Sequence, residues 1–159
     1  MRVGIFLGRA VPSLHPGHLG LIDRILKEND KLVACIGSAQ LDDPPIEKRR
    51  QHWKAQIRIL AGNKPFEIYE IVDPVPIDTW PDDVARICGI SRENKNTFYR
   101  ADPLETRYIR RLGDLGIEVK KVRRTPFFYR APDGLYRRIS SSTEVRLILK
   151  NVKPKEADE

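Results

Sequence analysis

Apolar residues along this chain alternate between short unbroken runs and stretches that repeat every three or four positions, the pattern of strands interleaved with helices. The first run, residues 3–7 (Val-Gly-Ile-Phe-Leu), reads as a short buried strand. Gly8-Arg9 then opens a loop that holds Pro12 and leads to His15-Pro16-Gly17-His18. From 19 to 27 the apolar residues fall at 19, 21, 22, 25 and 26, which is helical spacing. A second buried strand follows at 31–36, closed by Gly37-Ser38-Ala39-Gln40 and a polar loop with Asp42-Asp43-Pro44-Pro45. Residues 46–60 repeat as a helix, with Trp53, Ile57 and Leu60 on one face and Lys48, Arg49, Arg50 and Lys54 elsewhere. A third strand at 66–72 ends in a proline-broken stretch. There Asp78 or Thr79 is placed to cap a helix that includes Trp80, runs to Ile87 and carries Pro81 in its first turn. A short strand at 97–99, a basic helix at 103–115 stopped by Gly116, a strand at 117–122, a long loop at 124–138 and a last helix at 144–151 complete the pattern. Five strands alternating with helices predict an α/β fold: a doubly wound, mostly parallel five-stranded sheet with helices on both faces.

Composition narrows this picture. At 159 residues the chain suits a single domain, 1–151, followed by a polar tail, 152–159. No apolar run approaches the roughly 20 residues of a membrane span, and the first is too short for a signal peptide. A cytoplasmic protein with no membrane contact is therefore expected. Two cysteines, Cys35 in a strand and Cys88 near a helix end, do not make a disulfide framework and read as reduced thiols. Lys and Arg total 29 against 22 acids, a net charge of +7, with many of the bases between Arg100 and Arg146. Such an excess suits an anionic ligand or simply keeps the surface solvated; charge alone does not separate a nucleotide enzyme from an RNA binder.

Candidate chemistry lies where a doubly wound sheet binds ligands, outside the carboxyl ends of its strands. Three stretches fall there: 8–18, 37–40 and the start of the last helix. Neither Gly-x-Gly-x-x-Gly nor a P-loop is present. Instead His15 and His18 stand three apart on a first helical turn and face the same way. Gly17 between them leaves room for a ligand, and a helix N-terminus favours phosphate. Zinc is the rival reading of paired histidines, but the only other histidine is His52 and neither cysteine is close in sequence, so no metal ligand set is expected. At the far end Ser141 and Glu144 fit a capping box, which by itself would only stabilise the helix. The same Ser141, Ser142 and Thr143, with Arg146 one turn inside, also suit an anionic oxygen.

Together Gly8-Arg9, Pro12, His15-Pro16-Gly17-His18 and Ser141-Ser142-Thr143-Glu144-Val145-Arg146 resemble the paired signatures of the HxGH nucleotidyltransferases. Gly37-Ser38-Ala39-Gln40, Arg49-Arg50, Asp78, Trp80, Asp102-Pro103-Leu104 and Phe127-Phe128-Tyr129-Arg130 bring the chain closest to the archaeal-type nicotinamide-mononucleotide adenylyltransferases. The resemblance implies a Rossmann-like nucleotidyltransferase fold and adenylyl transfer from ATP to nicotinamide mononucleotide, giving NAD and pyrophosphate, with Mg²⁺ bound mainly through the phosphates. It implies that His15 and His18 donate hydrogen bonds to phosphate oxygens and that Arg9 and Arg146 hold the β- and γ-phosphates. Gly8, Gly17, Ser141, Ser142 and Thr143 would complete the ATP site. Gly37, Ser38, Asp78, Trp80 and one of Arg49 and Arg50 would form the acceptor site, with Trp80 either stacked on nicotinamide or simply half-buried under a loop. The family often assembles, so a homo-oligomer is possible; nucleic acid is not the expected partner.

The chain departs from the family pattern at three places. Two residues, Ser13 and Leu14, separate Pro12 from His15 where one is usual, which makes His18 the firmer of the two histidines. Ala101-Asp102 replaces Gly-Asn, and the final motif has three serines in place of two. Two other readings stay open: a relative with a different phosphorylated acceptor, such as pantetheine phosphate or a cytidylyl acceptor, and a non-catalytic basic RNA-binding module.

Overall fold

The run at 3–7 becomes the centre of the sheet. A computed structural model describes residues 1–8, 14, 16–38, 45–73 and 76–123, together with strands 127–130 and 136–139. The central strand β1 (Arg2–Gly8) is followed by α1 (Pro16–Glu28), β2 (Lys31–Ser38), α2 (Ile46–Ala61) and β3 (Phe66–Val72). A 3₁₀ turn (Ile77–Thr79) then leads into α3 (Trp80–Ile87), β4 (Lys95–Arg100), α4 (Thr106–Asp114) and β5 (Ile117–Lys121). The strands lie in the order β3-β2-β1-β4-β5 and all four pairings are parallel. The α/β, doubly wound sheet expected from the sequence is the observed one. Its order reverses between β1 and β4, so the switch point lies beyond Gly8.

Alternation along β1 divides the core. Phe6 joins Ile22, Ile25, Leu32, Ile36, Trp53 and Ile57 on the face covered by α1 and α2. Val3 and Ile5 join Val33, Cys35, Val84, Phe98 and Leu112 on the face covered by α3 and α4. Both sheet faces are buried, which is why β1 and β2 read as nearly unbroken apolar runs at 3–7 and 32–36. Gly4 allows the closest approach: a β-carbon there would stand 2.2 Å from Cγ2 of Ile25 and 2.7 Å from Nδ2 of Asn29. At the base of α1, Asn29 donates to the Tyr99 hydroxyl (2.8 Å), which donates to Glu28 (3.0 Å), and Lys120 donates to the same Glu28 oxygen (2.6 Å). These bonds tie α1 to β4 and β5.

Several sequence expectations need correction. The helix predicted at 19–27 begins at Pro16, because a missing N–H costs nothing at a first helical position. The basic helix predicted at 103–115 begins at Thr106; Glu105 keeps an extended ψ of 140° while its carbonyl accepts from Tyr108 and Ile109. Thr79 precedes α3 but does not cap it by side chain: its hydroxyl donates to Pro76 O at 3.0 Å. The stretch predicted as one loop, 124–138, contains most of an antiparallel pair, β6 (Phe127–Arg130) and β7 (Tyr136–Ile139). Pro132-Asp133-Gly134 between two short aromatic-bearing runs was its sequence signal. The final helix predicted at 144–151 and the tail lie outside the described residues. Among the described residues no helix is long and apolar enough to cross a membrane.

Candidate functional site at the carboxyl edge of the sheet

Gly8 ends β1, and its register partner on β2 is Ile36. Gly37 lies beside it: a β-carbon on Gly37 would be 3.7 Å from Gly8 O. A β-carbon on Gly8 would come within 2.7 Å of Cζ of Phe6, whose ring is buried and cannot give way. Glycine at 8 is thus set by Phe6, two residues earlier on the same strand face.

Phe6 in turn supports the histidine. His18, third residue of α1 and half-buried, meets the Phe6 ring edge-on at 5.8 Å and 72°. On its other side Phe6 packs against Trp53 of α2 at 5.7 Å. Aromatic pairs in such tilted arrangements contribute about 0.5–1.5 kcal/mol each beyond their buried area. The imidazole therefore stands in the first turn of α1 against a ring that also touches α2 on the same face of the sheet. Gly17 beside it is buried.

The end of β2 is held by a buried guanidinium. Arg49 donates from Nη1 to Gly37 O (3.2 Å) and from Nη2 to Ser38 Oγ (2.6 Å), while Ser38 donates to Glu70 (2.7 Å). Glu70 Oε2 also lies 3.9 Å from Arg49. Arg49 is 2% exposed. This corrects the expectation that it lies away from the apolar face of α2: residues 49, 53, 57 and 61, four apart, form the buried stripe. Burial of a cation is offset by these bonds and by the nearby carboxylate. Arg50 behaves differently. It is half-exposed, pairs with Glu47 at 3.0 Å, and its buried Nε has no hydrogen-bond partner among the described residues.

Asp78 and Trp80 form a second group on the α3–α4 side. Trp80 is half-buried between Phe98 (5.6 Å) and Tyr108 (5.4 Å). Asp78 is exposed, with its carboxylate 3.8 Å from Arg107. Asp102 lies exposed in the loop that follows β4. Arg9, His15, Ser141, Ser142, Thr143 and Arg146 lie outside the described residues, as do Ala39 and Gln40. Among the described residues no three His, Cys, Asp or Glu side chains gather as a metal site. Cys35 and Cys88 are free and buried with their sulfurs 3.4 Å apart, a proximity the sequence did not suggest across 53 positions.

Sequence reasoning also missed Phe6 and Trp53, read only as core residues, and Gln56, which bonds to the backbone of Leu14.

No family model matches the chain. Among solved structures it is similar to a NadR protein in complex with NR, with a TM-score of 0.57 and 19% identity over 77% of this chain and 37% of that one. A NadR protein in complex with NAD and AMP-PNP gives a TM-score of 0.53 and 19% identity over 76% and 37%. Pantothenate synthetase from Thermus thermophilus gives 0.50 and 16% over 99% of this chain and 64% of that one. What these likenesses show is the fold alone: an α/β, Rossmann-like arrangement. The chain spans little more than a third of the length of the NadR structures it matches.

Proposed function

We propose that this chain is a nucleotidyltransferase that transfers the adenylyl group of ATP to nicotinamide mononucleotide, forming NAD and pyrophosphate. The observation that carries the reading is the placement of His18: first turn of α1, just beyond the carboxyl end of the central strand at the switch point, its ring braced by Phe6. Ligands of doubly wound sheets bind there, and helix N-terminal N–H groups favour phosphate. The similar folds seen with NAD, AMP-PNP and NR support the same substrate class.

In this reading an oxygen of the acceptor's 5′-phosphate attacks the α-phosphorus of ATP, one P–O bond forms, and the bond to pyrophosphate breaks. Such transfers need little covalent help; placement and neutralisation of charge supply most of the rate. His18 would donate to an oxygen gaining charge at the α-phosphorus, and His15, Arg9, Ser141, Ser142, Thr143 and Arg146 would serve the triphosphate as the family resemblance implies. Mg²⁺ would arrive with ATP, held by phosphate oxygens. Gly37 and Ser38, fixed by Arg49, would line the acceptor side. Arg50, with a weak exposed partner, is the better candidate for the acceptor phosphate, and Trp80, half-buried between Phe98 and Tyr108, would stack on nicotinamide as the resemblance implies.

Turnover of ATP with nicotinamide mononucleotide, its acid analogue and pantetheine phosphate, and of CTP in place of ATP, followed by pyrophosphate release, tests this. Product with nicotinamide mononucleotide, lost in His18→Ala, is the expected result. Release with none of the pairs would overturn it, and polynucleotide binding indifferent to millimolar ATP would favour the RNA-binding reading.

A further inference from the structure

We propose that Gln56 is a positioning residue for the histidine-bearing loop, acting through the backbone of Leu14; this rests on the reading of that loop as the phosphate site. The Gln56 side chain on α2 meets Leu14 in both directions. Leu14 N donates to Oε1 at 3.0 Å, and Nε2 donates to Leu14 O at 2.9 Å. The primary amide pairs with the loop as a neighbouring strand would. The side chain of Leu14 is 3% exposed and sits in the core beside the α1–α2 contacts. One residue of the loop is thereby fixed at three points, across 42 positions of sequence.

Leu14 directly precedes His15 and lies two residues before Pro16, where α1 begins. It also belongs to the departure from the family pattern, where Ser13 and Leu14 stand in place of a single residue. A longer loop costs ordering entropy and loosens whatever it carries. Here the added length includes a residue that is buried by its side chain and clamped by its backbone. Gln56 follows Trp53 by three positions on α2, and Trp53 backs the Phe6 platform of His18. α2 thus touches both the Phe6 ring that meets His18 and the backbone of Leu14, two residues before α1 begins. Errors of about 1 Å in such placement lower rates by roughly 100-fold.

The test uses the full chain and Gln56→Met, which keeps the stem and removes both hydrogen bonds, with Gln56→Glu, which keeps only the acceptor. Amide exchange of Leu14 and the ¹H–¹⁵N imidazole resonances of His18 are read by NMR, beside initial rates at 25 °C. In Gln56→Met, Leu14 exchange rises about 10-fold or more, the His18 resonances shift, and kcat falls about 10- to 100-fold with a smaller change in KM for ATP. In Gln56→Glu, Leu14 exchange stays nearer the parent. Unchanged exchange and resonances in Gln56→Met overturn the proposal, as does a shift in both with undiminished turnover. Should the parent release no pyrophosphate with any acceptor, the functional reading falls separately, and exchange and resonances still decide whether Gln56 positions His18.

Discussion

Replacing Arg49 by methionine removes a buried guanidinium while keeping most of its aliphatic stem, so the packing of α2 on the sheet is little changed. What goes is the donor to Gly37 O at 3.2 Å, the donor to Ser38 Oγ at 2.6 Å and the attraction to Glu70 at 3.9 Å. Hydrogen bonds from a charged donor contribute about 1.5–3 kcal/mol each. Two effects reduce the sum. Ser38 still donates to Glu70, and the cost of keeping a cation 2% exposed disappears with the cation. A net loss of about 2–3 kcal/mol follows, which for a chain of this size lowers Tm by roughly 5–10 °C. Urea denaturation followed by far-UV circular dichroism measures it, with an unchanged m-value as the check that the unfolded state is unaltered. A loss below about 0.5 kcal/mol, the scale of an ordinary surface substitution, would refute the picture of Arg49 as the cation that fixes the end of β2.

Arg50→Gln, by contrast, raises KM for the mononucleotide about 10-fold with Tm nearly unchanged, since its pair with Glu47 is exposed; a large Tm loss and a normal KM would reverse the roles assigned to the two arginines. Gly4→Ala forces a β-carbon against Ile25 and Asn29 and destabilises by about 3 kcal/mol, the upper end of overpacking costs. A urea midpoint equal to the parent's would count against that close approach. Lys120 above all, with Arg24 and Tyr99, holds the Glu28 carboxyl down to about 2, against the opposing effect of desolvation. A depressed folded pKa adds stability that is present above the ordinary carboxylate range and lost as pH falls toward 2. Glu28→Gln should therefore cost about 1 kcal/mol at pH 7 after allowance for solvent screening, and progressively less as pH falls through the folded value; a gap between the two proteins that does not narrow on acidification would contradict this. The Cys35 thiol is pushed up by the neighbouring Cys88 sulfur and by burial, so its alkylation at pH 8 should be roughly 100-fold slower in the native protein than in urea. Mass spectrometry showing prompt labelling of Cys35 in the folded state would be the contrary result.

Elements whose cause is local were readable in the residues. The largely apolar, β-prone stretch at 66–72 predicts β3 with the observed ends, and the alternation of strands and helices predicts the sheet class. Errors arose where one residue has two possible surroundings. Arg49 is charged and so was placed outside, although its spacing to Trp53 and Ile57 already marked it as a member of the buried stripe. Tyr136-Arg137-Arg138-Ile139 has too few apolar residues to declare a strand without its partner, and β7 is defined by its pairing to β6. Among the site residues, Gly8, His18 and Ser38 stand at the predicted sheet edge. The supports beneath them were not legible, because the Phe6–Trp53 and Leu14–Gln56 contacts join residues more than 40 positions apart and depend on how α2 lies across the sheet.

The order β3-β2-β1-β4-β5 also makes some strand pairings far more local in the chain than others. Strands β1, β2 and β3 with their two helices are contiguous in the chain, residues 2–72, and can associate through relatively local crossovers. β4 must then return to the far side of β1, pairing Ile5 with Phe98 across a loop of more than 90 residues. Until it does, Val3, Ile5 and Phe6 lie along an open edge that can template pairing with another copy. The strand that leads to the histidine turn is thus the one that needs partners from both halves of the chain. Slow docking of β4 would therefore expose the chain to aggregation before it exposed any defect in the site.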